Sequence, residues 1–138
     1  MPSIQISVET LNAATGASAS LFNPFSPNLR LVVNYALSPD LASMPNLTVE
    51  IVFQLINLHA NEVFFNNPGQ HPVPAGQASG ANYYDINPSN TAGMQWVTGA
   101  DIFGFRGAVA TLESNGTYVD AIAVSDVRWF RLEDAATL

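Results

Sequence analysis

Hydrophobic and polar residues alternate with a period of two over most of this chain, the spacing of strands with one face buried. Ile4, Ile6 and Val8 share one face against Gln5, Ser7 and Glu9, predicting a strand over 4–11. Leu31, Val33, Tyr35 and Leu37 repeat the pattern over 29–37, with Arg30 and Asn34 on the other side. Between them, 12–28 reads as loop, because Pro24 and Pro27 lack the N–H a ladder needs. After Ser38-Pro39-Asp40, residues 41–46 are expected to make one helical turn before 47–58, the most apolar stretch. Leu47, Val49, Ile51, Phe53 and Leu55 share a face there, and the β-branched and aromatic content favours a central strand over a helix.

Beyond it, Val63-Phe64-Phe65 predicts a short strand after a turn at His59-Ala60-Asn61. Residues 66–82 show no period and read as a long loop. Short strands are expected over 82–86 and 94–98, with a turn at Asn87-Pro88-Ser89-Asn90. The firmest element is a hairpin over 102–132, turning at Asn115-Gly116. A type I′ turn needs positive φ at both central residues, which Asn and Gly reach most cheaply. Phe103, Phe105, Val109 and Thr111 lead into it, with Arg106 on the alternate face; Tyr118, Ile122 and Val124 follow it. A change of inward parity near Ser125-Asp126, from Ile122 and Val124 to Val127 and Trp129, predicts a bulge.

Seven or eight strands, turns rich in Pro, Gly and Asn, and no sustained helical period predict an all-β protein: a single-domain antiparallel β-sandwich spanning 1–138. An eight-stranded β-barrel is the alternative. The final hairpin resembles the last two strands of a fibronectin-type-III or immunoglobulin-like sandwich. The chain has no cysteines, so the immunoglobulin disulfide is missing, and no tyrosine sits where a tyrosine corner would need it. The resemblance implies an architecture and not a function.

Composition narrows the partners. Eleven acidic residues face four arginines (Arg30, Arg106, Arg128, Arg131) and no lysine, for a net charge of −7. Nucleic acid and anionic membranes both require clustered cations, so neither is expected. No apolar run approaches the ~20 residues of a membrane helix. Met1-Pro2-Ser3-Ile4-Gln5 has neither the basic start nor the apolar run of a secretory signal. With 11% charged residues, the surface must be built largely from neutral polar side chains.

Candidate chemistry is sparse. His59 and His71 are the only histidines; a base would take Glu62 or Asp85 as its orienting partner, but no serine occupies a nucleophile elbow. They also lack the i, i+4 spacing of a helical zinc site, and no metal or cofactor is expected. Asp85, Asn87 and Ser89 offer hard oxygens for calcium, and Asx turns explain the same residues. Asn46-Leu47-Thr48 and Asn115-Gly116-Thr117 match the glycosylation acceptor pattern; the second is explained by its turn.

Adjacent aromatics on a strand cannot both point inward, so one each of Phe64/Phe65, Tyr83/Tyr84 and Trp129/Phe130 should face out. Tyr83, Tyr84, Asp85, Asn87 and Trp96 are the candidate ligand-binding set, combining flat rings with planar polar groups. These features predict a non-catalytic structural or interaction module that self-assembles through β-edges and outward aromatics. A carbohydrate-binding domain is the second reading, and a small β-barrel enzyme for an apolar substrate the third. Without lysine, sheet edges are weakly guarded, and Pro68, Pro72 and Pro74 are expected in loops. The 4–11 strand or the tail after Trp129 is the expected donor to a neighbour's edge.

Overall fold

The computed structural model describes residues 3–22, 28–58, 62–86 and 101–132. Ten strands and one helical turn follow in order: β1 Ile4–Asn12, β2 Leu21–Phe22, β3 Leu29–Leu37, α1 Pro39–Ala42, β4 Leu47–Asn57, β5 Glu62–Pro72, β6 Ser79–Ile86, β7 Asp101–Ser114, β8 Thr117–Val119, β9 Ala123–Val124 and β10 Arg128–Leu132. They form two sheets, ordered β1-β3-β6 and β2-β10-β7-β4-β5, with β8 and β9 also pairing β7. The sheets are separate ladders packed face to face, so the protein is a β-sandwich and not a barrel. Its seven longer strands place the first, second and fifth on one sheet. The last, sixth, third and fourth lie in order on the other.

Each sheet turns its apolar parity inward. Leu29, Leu31, Val33, Tyr35 and Leu37 of β3 and Leu47, Val49, Ile51, Phe53 and Leu55 of β4 are all buried. Aromatic rings fill the space between. Phe53 stacks on Phe105 at 6.1 Å, while Tyr84 tilts against Phe53 and Phe65; Phe103 stacks on Phe130, which meets Phe22 edge-on at 5.9 Å. At Gly107 the two sheets approach closely: a Cβ there would lie 2.7 Å from Val33 Cγ2 and 3.0 Å from Val8 Cγ1.

The hairpin turns where expected, with positive φ at Asn115 (53°) and Gly116 (78°). Asn46 Nδ2 donates to Asn115 Oδ1 at 2.6 Å, and Ser114 Oγ donates to the Pro45 carbonyl at 2.7 Å, tying its tip to the start of β4. The returning arm departs from the expected phase. It is broken into β8, β9 and β10, and Ala121 and Ser125 turn inward while Ile122 and Val124 are 73% and 65% exposed. Between the Ala108–Val124 and Phe105–Arg128 pairs the returning arm spends one extra residue. Parity therefore switches as predicted, but to Phe130 and Leu132; Trp129 faces out. The interruption is held by Ser125, whose N–H donates to the Gly107 carbonyl and whose Oγ accepts from Gly107 N, both at 2.9 Å. Before the turn, Ala110 is an extra residue in β7 relative to β4, so Leu112 and not Thr111 continues the buried row.

Residues 66–82 are not a long loop. β5 continues to Pro72 and β6 begins at Ser79, leaving six residues between. Pro68 and Pro72 therefore sit in β5, an edge strand, where a missing ladder donor is tolerated and the edge is blunted. The 12–28 segment likewise contains β2, which pairs in parallel with β10. Of the segments expected to reach a neighbour, β1 pairs over nine residues with β3 as the outer strand of the smaller sheet, and β10 pairs with β7 and β2, while the tail after Leu132 lies outside the described residues. Among the described residues no helix is long and apolar enough to cross a membrane.

Candidate functional site

Two outward faces carry the side chains that remain for recognition. On the smaller sheet, register places Arg30 opposite Asp85 and Val32 opposite Tyr83. The guanidinium binds the carboxylate twice, Nε to Oδ1 at 2.7 Å and Nη2 to Oδ2 at 2.9 Å, and its carbon lies 4.3 Å from the Tyr83 ring centroid. That hydrogen bond raises the Arg30 pKa above its already high ordinary value. The cluster covers Val32, which is 7% exposed on an outward face.

The candidate set is thereby divided. Tyr83 and Asp85 share this face, and Tyr83 is 61% exposed. Tyr84, one residue on, points into the core against Phe53 and Phe65. Asn87 and Trp96 lie outside the described residues, as do His59, the turn at 87–90, the strand expected at 94–98 and the tail after Leu132. His71 stands on β5 opposite Val49, its imidazole beside Gly69. Among the described residues no three His, Asp or Glu side chains gather where a metal could bind. An open depression of about 250 Å³ between Ile6–Val8 and Asp126–Arg128 follows the outer edge of β1.

The outer face of the larger sheet is built in rows across its strands. Ile56 stands between Val63 and Gly104, and Gly104 pairs with Trp129. The Trp129 ring lies over Gly104, where a Cβ would meet Cζ3 at 2.9 Å. In the next row Arg106 donates from Nε and Nη2 to Gln54 Oε1 at 2.9 and 2.7 Å, and Gln54 Nε2 donates to Asn66 Oδ1 at 2.9 Å. The row after is apolar throughout: Pro68, Val52, Ala108 and Val124. Then come Gln70, Glu50 and Thr111, and last Pro72, Thr48, Glu113 and Tyr118. Four of the exposed large apolar side chains, Tyr118, Ile122, Val124 and Trp129, follow one another down the returning arm of the hairpin.

No protein-family model matches this chain, and no curated protein does.

The pairwise rule for adjacent aromatics holds at Tyr83/Tyr84 and Trp129/Phe130 and fails at Phe64/Phe65. Phe65 packs on Tyr84 and Phe64 edge-on against Phe103 at 5.6 Å. The reason is a register shift between Leu55 and Ile56, a bulge on β5 that turns neighbouring residues toward the same layer. The rows on the outer face are not legible in the sequence because they join residues far apart in the chain, such as Val52 with Ala108 and Thr48 with Glu113. Only strand order and register bring them together.

Proposed function

We propose that this protein is a non-catalytic interaction module that associates with itself through the outer face of its larger sheet. The observation carrying this reading is the run of exposed apolar side chains down the β8–β10 arm, anchored by Trp129 on Gly104 and continued by Ile56 and Val63. Interfaces favour aromatic anchors bordered by polar groups, and the Asn66–Gln54–Arg106 row is such a border. Within the larger sheet the face is favoured over the edges, because β2 pairs along the end of β10 and Pro68 and Pro72 blunt β5. Replacing Trp129 with Ser should shift self-association, followed by sedimentation velocity over a concentration series, to at least about tenfold higher protein concentration. Unchanged association in this variant would refute the role of the face.

Carbohydrate binding is the second reading, supported by the exposed ring of Tyr83 beside Asp85. It is the weaker one, since Arg30 covers one face of that ring and Tyr84 is turned inward. A glycan array with signal that Tyr83→Ala abolishes would favour it.

A further inference from the structure

The rows on the outer face of the larger sheet are arranged symmetrically about the apolar one. Along β7, Arg106 lies two residues from Ala108 on one side. Thr111, the register partner of Glu50, lies three residues away on the other, one of them the bulged Ala110. Gly104, which pairs with Trp129, is four residues from Ala108; Glu113, which pairs with Tyr118, is five, again counting Ala110. At ~3.4 Å per residue the offsets match, about 7 Å for the charged rows and about 14 Å for the aromatic ones. Among the described residues Arg106 bonds the neutral amide of Gln54, and neither it nor Glu50 has an ionic partner.

We propose that this face is a homodimer interface, closed by a two-fold axis running across the strands at the Val52–Ala108 row. The inference rests on the self-association reading and names its partner and geometry. An axis of this kind reverses strand direction and keeps each strand over its own copy, so the patch must be self-complementary. It meets that demand. Arg106 comes over Thr111 of the second copy, one strand spacing (~4.8 Å) from that copy's Glu50. Two equivalent Arg106–Glu50 pairs form, one on each side of the axis, and each neutralises a cation the monomer leaves with an amide. Trp129 comes over Tyr118 of the second copy, covering side chains 44% and 74% exposed in the monomer. The apolar row meets itself at the axis. Four strands over eight residue steps span about 500 Å² in projection, below the ~800 Å² per partner of a standard stable interface, so the dimer is reversible.

The test is a charge swap read by sedimentation velocity, with circular dichroism confirming that each variant keeps its sheet spectrum. Arg106→Glu and Glu50→Arg should each weaken dimerisation at least about tenfold, because each sets two like-charge pairs at the axis. The double variant, with both charges exchanged, should recover most of that loss and show the wild-type salt dependence. A wild type that dimerises while the double variant stays as weak as the singles would overturn the two-fold geometry and leave self-association standing. A wild type that is monomeric at every concentration would overturn both.

Discussion

Gly107 and Ser125 show how single residues hold the two layers in place. Gly107 has no side chain because Val33 and Val8 occupy that space, and its amide is satisfied by Ser125 Oγ at 2.9 Å. Gly107→Ala should destabilise the fold by about 1–3 kcal/mol through overpacking, and Val33→Ala should recover part of that in the double variant. Ser125→Ala leaves a buried N–H without its acceptor and should cost about 1–3 kcal/mol. Both are read from urea unfolding midpoints at unchanged slope. Tyr35 adds a pH dependence. Burial raises its pKa above the ordinary phenol value, so its effect on stability is absent below the unfolded pKa of ~10. As pH climbs through the folded value the unfolded chain ionises first, and stability falls. Alkaline unfolding should therefore move to higher pH in Tyr35→Phe, and absorbance titration should show one tyrosine ionising last.

At the scale of elements, bulges and edges decide what the sequence makes legible. The Asn115-Gly116 turn was readable because its backbone requirement is local, and the strands over 4–12, 29–37 and 47–57 because period two runs through them without interruption. The returning arm departs from the expected phase because it carries one extra residue between the Leu112–Val119 and Val109–Ala123 pairs, and an inserted residue moves every later side chain to the opposite face. Trp129 and Ile122 thus changed places with Phe130 and Ala121. Residues 66–72 of β5 read as loop because prolines look alike in a loop and on an edge strand. If they guard that edge, Pro68→Thr should raise aggregation of concentrated protein, measured by light scattering and thioflavin fluorescence, without lowering the urea midpoint. Of the candidate site, the sequence shows that one of Tyr83 and Tyr84 faces out, and the register with β3 decides that it is Tyr83. The Arg30–Asp85 clamp was not legible, since nothing local joins residues 55 positions apart. Both side chains are about one-third exposed, and Asp85→Asn should cost under ~1 kcal/mol.

For the molecule as a whole, one sheet seals its outer face with its own cluster and the other leaves rows of apolar and charged groups in mirrored order. The smaller sheet needs no partner to cover Val32, because Arg30 and Tyr83 do so. The larger sheet leaves Trp129, Val124, Ile122 and Tyr118 to water. A net charge of −7 opposes association in general, and a patch that pairs its own cations with its own anions offsets that repulsion where two copies meet. Raising salt should weaken the dimer through the Arg106–Glu50 pairs while screening the overall repulsion. The most direct measurement is the weight-average mass of the wild type by sedimentation equilibrium across the micromolar range. The account predicts a rise from 14.7 kDa that levels off at twice that value. A mass that stays at the monomer value, or grows without a plateau, would contradict it.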